Sequence, residues 1–434
     1  MSKFTKRQKE LMNSLGDGVL VLAGASLMVR NSDVDFPFRQ NSDMRYLVGF
    51  EEPDSVLILR KKSDLIESVL IVPPSDKLQE IWNGKRQGIE GAINNFNVDR
   101  AYSNKELEAA LQKELEGFTT LFFEWNESDS FDQIILKTFK AFKNAYRKNP
   151  IYPTTTSSYG KSLWQMRQRK DQDEQKTLGV AAKITQSAFE HSMKNLKPNM
   201  NEAEIYALLE YEYLKNGGTS GYGNIVAGGA NATCLHYTNN NAPLNAEDIL
   251  LIDSGCEKDG YTADVTRCFP VNGKFGDKQA KIYSIVLEAN KRAIEKCVVG
   301  SSLRAVHEEA LNVLVQGLID INVLDGSLEQ NLKSMSYKKF YMHNTSHWLG
   351  MDVHDVGLYD VDGVPVPFEE GMCLTVEPGL YFNPDFSERS TDYDGIGVRI
   401  EDNIVISKSG PINLTKNIIK EISEIESMMA GSSE

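Results

Sequence analysis

The stretch LLIDSGCEKDGYTADVTRCF, residues 250–269, carries an apolar run into a carboxylate at Asp253 and sets a second, Asp264, between Ala263 and Val265 in what reads as a further strand. An ionised carboxylate buried among apolar neighbours costs several kcal/mol unless it is paired or bound to a cation. If 250–253 and 263–268 are adjacent strands joined by a turn around Lys258, Asp259 and Gly260, the two acids face each other across one hairpin. Two like charges so placed require a cation or a shared proton.

Further along, HNTSHWLGMDVHD places His343, His347 and His354 together, half of the 6 histidines in the chain. LTVEPGLYF sets Glu377 after a β-rich run and before a Pro-Gly turn, and GIGVRIEDNIVI sets Glu401 inside another strand. Taken singly, each has an ordinary reading: Asp253 caps a turn, the histidines are hydrogen-bonded in a core, and Glu401 with Asp402 is an exposed polar pair. Taken together they carry a charge balance. Asp253, Asp264, Glu377 and Glu401 supply four negative charges and two divalent ions supply four positive ones, leaving a bridging hydroxide as the net charge, which suits a two-metal site. Four carboxylates to one imidazole is a hard, oxygen-rich set that favours Mn²⁺, Mg²⁺, Co²⁺ or Fe²⁺ over a thiolate-type zinc site.

Outward from these motifs, 434 residues with 41% hydrophobic and 25% charged content are enough for two domains with cores of their own. A net charge of -14, with no basic stripe interleaved with aromatics, excludes nucleic acid and anionic membrane as partners. The basic clusters 60–62 and 167–170 sit beside acids and read as solvated surface. Lys3, Lys6, Arg7 and Lys9 before the apolar run 18–29 imitate a secretory signal, but Glu10 and Asp17 interrupt the order, so the run reads as a core strand with its turn. No run is long enough to span a bilayer. The 5 cysteines are odd in number and form no CxxC pair, which points to a reduced, cytoplasmic protein.

The first part alternates strand-like runs at 19–22, 56–59, 69–72 and 121–123 with helix-forming stretches such as 105–115, giving a small α/β domain over 1–160. The segment NPIYPTTTSSYG, 149–160, reads as a linker whose prolines and Ser/Thr cluster stop any regular element. Beyond it, helices are expected over 172–195, after Asn201 with Glu204 as a capping box, and over 277–297 with Ile282, Ile285, Val286, Ala289 and Ala293 on one face. Residues 161–434 thus read as an α+β domain, helices on an antiparallel-rich sheet.

The order LLIDSGCEKDGYTADVTR, SHWLGMDVHDVG, VEPGLY and GVRIEDNIVI resembles the pita-bread-fold metallopeptidases, most closely the aminopeptidase P (Xaa-Pro aminopeptidase) branch. FPFRQNSDMRYLVGFEEPDSVLIL and EIWNGKRQG are similar to the amino-terminal domain of that branch, so the likeness covers nearly the whole chain. It implies a catalytic pita-bread domain behind a smaller α/β domain. It further implies that Asp253 binds one metal, His347 and Glu377 the other, and that Asp264 and Glu401 bridge both. His236, His343, His354 and Arg399 would hold substrate and transition state, Glu377 would shuttle the proton, and a hydroxide bridging the two ions would attack the peptide carbonyl.

The implied cofactors are two divalent ions, Mn²⁺ first, with Co²⁺, Fe²⁺ or Zn²⁺ as alternatives. Implied substrates are peptides with proline second, whose Xaa-Pro bond is a tertiary amide without an N–H. By the same resemblance the protein is a homo-oligomer, dimer or tetramer, in which Trp82 reaches a partner's site. The motif departs from the family at Asn344 and Thr345, where a Gly-Leu pair is frequent. Prolidase, which shares the ligands but takes dipeptides, is the nearest alternative. A metal-free creatinase-like hydrolase and a silent scaffold are further ones, and methionine aminopeptidase usually lacks so large a leading domain.

Overall fold

The structure, a computed structural model, describes residues 2–148, 150–383, 385 and 391–431. The chain divides into two units, Met1–Met166 and Arg167–Glu434. In the first, the apolar runs form strands β1 (Gly18–Ala23), β2 (Val56–Lys62), β3 (Leu65–Val72), β4 (Arg100–Ser103), β5 (Thr120–Phe122) and β6 (Thr155–Ser157), in the sheet order β4-β3-β2-β1-β5-β6. β1 runs antiparallel to β2 and parallel to β5, and its interior position explains why Val19, Leu20 and Val21 are fully buried. The basic residues before it belong to helix α1 (Lys3–Leu15), capped by the Ser2 hydroxyl, with the Arg7 guanidinium 3.9 Å above the Tyr46 ring. Helices α2 (Leu107–Leu115) and α3 (Asp129–Ala145) bury Leu111, Leu115, Ile135 and Phe142 against Val19, Val21, Ile58 and Ile71.

The segment expected to stop regular structure instead supplies β6, which pairs parallel with β5 through Thr120 with Thr155 and Phe122 with Ser157. β-Branched threonines suit a sheet edge, and no proline falls within the strand itself. Its first residue, Asn149, lies outside the described residues. A helix, Gly160–Gln168, follows where the linker was expected to continue toward Trp164.

In the second unit α4 (Gln172–Asn195) starts at an Asp171–Glu174 capping box and α5 (Glu202–Lys215) at the Asn201–Glu204 box read from the sequence. Three antiparallel strands follow, β7 (Ile225–Gly228), β8 (Ile249–Ser254) and β9 (Val265–Pro270), in that spatial order. Helices α6 (Asp277–Glu295) and α7 (Leu303–Asp320) bring Ile282, Val286, Ala289, Leu314 and Leu318 into the core that holds Leu250 and Ile252. Four short strands complete the site: β10 (Cys373–Val376) pairs with β13 (Asp402–Val405), and β11 (Gly379–Tyr381) with β12 (Gly397–Arg399), all antiparallel.

One surface expectation fails here. Arg167 and Lys170, read as solvated, are each 3% exposed and sit 2.5 and 2.8 Å from Asp355. Charge in the local sequence gave no hint of a carboxylate 185 residues further on. Arg60 is likewise half-buried, 3.0 Å from both Glu67 and Glu114.

Candidate metal centre and active site

Interruptions in the strands aim the acids. Val376 pairs with Asp402 and Gly379 with Arg399, so Glu377 and Glu401 leave two neighbouring strand pairs at one common break. Pro378, which has no N–H to give a ladder, sits at that break. Glu401 is therefore between β12 and β13 rather than inside a strand, and Asp264 similarly lies between the short strand Tyr261–Thr262 and β9. A continuous strand would send successive side chains to opposite faces. That alternation persists here: Glu401 faces the cavity while Asp402 turns to a fully buried ion pair with Arg267 at 2.8 Å.

The simple hairpin is also corrected. Asp253 stands opposite Thr266, and a small hairpin, Cys256–Lys258 with Tyr261–Thr262, is inserted between β8 and β9. Asp253 and Asp264 meet instead through Tyr222, whose hydroxyl lies 2.6 Å from an oxygen of each. A phenol has one proton to donate, so two such contacts leave one carboxylate oxygen in need of a further proton or a cation.

Around this pair, His347 Nε2 lies 3.2 Å from Asp264 and 3.4 Å from Glu377, its ring oriented by Nδ1 donating to the Trp348 carbonyl at 2.9 Å. One ligand atom from each of Asp264, His347 and Glu401 falls within 4.8 Å of the others. Arg399 donates to Asp253 at 2.6 Å, to the Thr266 hydroxyl at 3.0 Å and to the Tyr381 hydroxyl at 3.0 Å. Tyr381 also meets His343 Nε2 at 2.8 Å, and Thr266 donates to Glu401 at 2.7 Å. The His354 ring stands edge-on to His347 with centroids 4.4 Å apart. Every candidate metal ligand and catalytic residue named from the sequence, His236, Asp253, Asp264, His343, His347, His354, Glu377, Arg399 and Glu401, lines one cavity of about 630 Å³.

Electrostatics shows what the cavity lacks. Burial lifts Asp253, Glu377 and Glu401 above the usual carboxylate range, and Asp264 adds to each. Burial opposes a charged His347, yet the Asp264 and Glu377 carboxylates outweigh it and hold the imidazole up to about 9. His343, with burial and Arg399 acting together, is pushed down to about 3 and is a neutral hydrogen-bonding group. Among the described residues, Arg399 is the one Arg or Lys within ion-pair distance of any of the four acids. Three buried carboxylates and the half-buried Glu377, with one guanidinium and one imidazole, ask for more positive charge, and an oxygen-rich pocket with one nitrogen donor fits divalent cations.

The sequence profile of Metallopeptidase family M24 matches residues 176–408, and that of the aminopeptidase P N-terminal domain matches residues 4–122. The chain belongs to metallopeptidase family M24. It is similar to the Xaa-Pro aminopeptidase of Haemophilus influenzae, 39% identical over 92% of this chain and 90% of that one. Its structure matches an aminopeptidase of Pseudomonas aeruginosa with a TM-score of 0.97 at 36% identity, covering 100% of this chain and 99% of that one. A zinc-substituted Escherichia coli aminopeptidase P in complex with product matches with the same TM-score of 0.97 at 36% identity, over 100% and 99% of the two chains. The fold is accordingly the pita-bread fold of the aminopeptidase P branch, and this M24 chain is a metallopeptidase that works with divalent ions.

Several members of the M24 site carried no sequence signal. Tyr222 stands alone between two glycines, and Thr266 reads as an ordinary strand residue. Thr345 was noted only as a departure, yet its hydroxyl meets His307 at 2.9 Å and Tyr341 at 2.7 Å, while its carbonyl accepts the Glu377 N–H at 2.8 Å. Cys256 and Cys268, close to the ligands in sequence, are buried with thiols pushed up to about 12 and take no part.

Proposed function

We propose that this metallopeptidase is an Xaa-Pro aminopeptidase, releasing the first residue of peptides whose second residue is proline. The observation that carries the reading is the cavity in which four carboxylates, three of them buried, and His347 converge with one guanidinium among them. Relatives that span nearly the whole chain bear the same activity in their names, which disfavours the prolidase alternative. In this reading Asp253, Asp264, His347, Glu377 and Glu401 hold two divalent ions. When bound, those ions supply Lewis-acid polarisation of the scissile carbonyl and a nucleophilic water at neutral pH. The hard donor set favours Mn²⁺, with Co²⁺, Fe²⁺ or Zn²⁺ as alternatives.

The protein's own groups do the rest. Asp253, fixed by Arg399 and Tyr222, lies where a positively charged peptide amine gains an opposite charge. His236 and His354 border the cavity as hydrogen-bonding partners for peptide carbonyls, a role that suits a substrate whose scissile nitrogen has no proton to donate, while His343, whose Nδ1 proton goes to the Asn344 carbonyl, borders it as a neutral ring held by Tyr381. Glu377 faces the same space and moves the proton from the attacking water to the departing proline nitrogen. Arg399 and Tyr381 orient His343 and Asp253 together through one hydrogen-bonded chain.

The wider reading has three further parts. Residues 1–160 form the leading domain and 161–434 the catalytic one. The protein is a homo-oligomer, supported by the helix Lys77–Asn83, which exposes Leu78, Ile81 and Trp82. It resides in the cytoplasm, supported by the 5 free cysteines. The test of the activity is hydrolysis of a matched pair, an Xaa-Pro-Yaa tripeptide and an Xaa-Pro dipeptide, by chelator-stripped protein with and without Mn²⁺. Metal-dependent release of the first residue mainly from the tripeptide is expected. Dipeptide preference would make it a prolidase, and no cleavage with any divalent ion would return it to the silent or creatinase-like alternatives.

A further inference from the structure

Helix α6 turns Ile282, Val286, Ala289 and Ala293 into the core, and Asn290 is fully buried among them. A polar side chain in such surroundings is costly unless its hydrogen-bonding groups find partners. Asn290 finds three. Its Nδ2 gives one hydrogen to the Val376 carbonyl at 2.9 Å and the other to the Ile400 carbonyl at 3.2 Å, while its Oδ1 accepts from Lys420 Nζ at 2.7 Å. These partners fix which way round the amide sits, because a carbonyl only accepts and an ammonium only donates.

The two carbonyls belong to the residues immediately before Glu377 and Glu401. Val376 pairs with Asp402 and Gly379 with Arg399 in one register, so Pro378 stands opposite Ile400 and Glu377 opposite Glu401. Residues that exchange hydrogen bonds in an antiparallel pair exchange two. Ile400 gives its N–H to the Pro378 carbonyl at 3.2 Å, and the return bond is missing because proline has no N–H. Asn290 supplies that donor from outside the sheet. We propose, resting on the assignment of Glu377 and Glu401 as metal ligands, that Asn290 is a positioning residue: it ties their two strands together across the break at Pro378 and fixes the spacing of the carboxylates that hold the ions. The tie is itself anchored. Lys420 reaches Asp402 at 2.5 Å, Asp402 meets Arg267 at 2.8 Å, and Arg267 donates to the Glu401 carbonyl at 2.5 Å. A leucine in place of Asn290 would fill the volume and leave the Ile400 carbonyl without the donor that Pro378 withholds.

Calorimetric titration of chelator-stripped, full-length protein with Mn²⁺ reads this role apart from turnover. Asn290→Leu should weaken the binding of at least one of the two equivalents by about tenfold, the usual effect of losing a group that holds a metal ligand in place. Val286→Ala, one turn earlier on α6 and fully buried, is the packing control: it should lower Tm yet bind Mn²⁺ as wild type does. Pro378→Ala returns an N–H opposite Ile400, so Asn290→Leu should lose less affinity in that background than in the wild type. Should Asn290→Leu fail to fold, Asn290→Asp keeps the shape and the Lys420 contact while an oxygen replaces the donor, and the same weakening is expected. Two equivalents bound as tightly by the Asn290 variant as by wild type, an equal loss in Val286→Ala, or an equal loss with and without Pro378→Ala would each overturn the positioning role while leaving the metal site intact. Wild-type protein that binds no Mn²⁺ would overturn both.

Discussion

Replacing Asp355 by Asn probes how the turn carrying His354 is held. Asp355 is 5% exposed and lies between Arg167 at 2.5 Å and Lys170 at 2.8 Å, and its backbone N–H closes onto the Trp348 carbonyl at 2.9 Å. The substitution keeps the shape and removes the charge. Arg167 still has Asp352 at 2.7 Å, but Lys170 is left buried with no other carboxylate within ion-pair distance among the described residues. Breaking one side of a buried ion pair costs about 3–5 kcal/mol, and because the amide oxygen keeps one of the two contacts while its NH2 faces the other cation, about 3 kcal/mol is the least this change should cost. For a unit of this size that lowers Tm by about 6–12 °C, measured by scanning calorimetry at pH 7.

The same pair fixes a pH signature. Burial favours the neutral acid, yet Lys170 and Arg167 outweigh it and hold the Asp355 carboxyl below its ordinary value. A folded-state value below the unfolded one stabilises above the ordinary aspartate value of about 4, and that stabilisation is lost as pH falls through the folded value. The wild-type and Asp355→Asn transitions should therefore converge in acid. A Tm difference under about 2 °C at pH 7, or a gap that does not narrow below about pH 4, would refute the argument.

Substitutions at four other positions separate the roles around the cavity. Asp264→Ala or Glu401→Ala should lose bound metal and activity together, and two equivalents of metal retained in either variant would contradict its bridging role. His354→Ala should keep both metals and lose turnover, whereas unchanged turnover would remove it from the substrate layer. Thr345→Val leaves the buried Tyr341 hydroxyl short of a partner, a loss of about 1–3 kcal/mol, leaves half-buried His307 with only the Thr345 N–H at 3.3 Å, and shifts the backbone that receives the Glu377 N–H. A fall in kcat of about tenfold at unchanged metal content is expected for Thr345→Val, with Thr345→Ser near wild type, and equal kcat in both would contradict it.

Much of this was legible because it is local. A capping box needs only Asn201 and Glu204, and the ligand-bearing motifs each announce an acid or histidine at the end of an apolar run. What the sequence concealed depends on partners far along the chain. Arg167 and Lys170 look like surface until Asp355 appears 188 and 185 residues later, and Tyr222 means nothing until Asp253 and Asp264 are brought to it from 31 and 42 residues away. Strand periodicity places Asp264 and Glu401 within strands because their neighbours are strand-like; only the pairing of β10 to β13 shows the break at Glu401, and only the end of the Tyr261–Thr262 strand before β9 shows the one at Asp264. The edge strand β6 was hidden for the same reason, since its ladder is supplied by β5 and not by its own composition.

The most direct test is a titration of chelator-stripped protein with Mn²⁺, following bound metal and Ala-Pro-Ala hydrolysis in the same samples. The residues converging on the cavity predict no activity in the stripped protein and full activity at two equivalents per chain. Full hydrolysis in rigorously metal-free protein, or saturation of binding with no hydrolysis at any occupancy, would contradict the account.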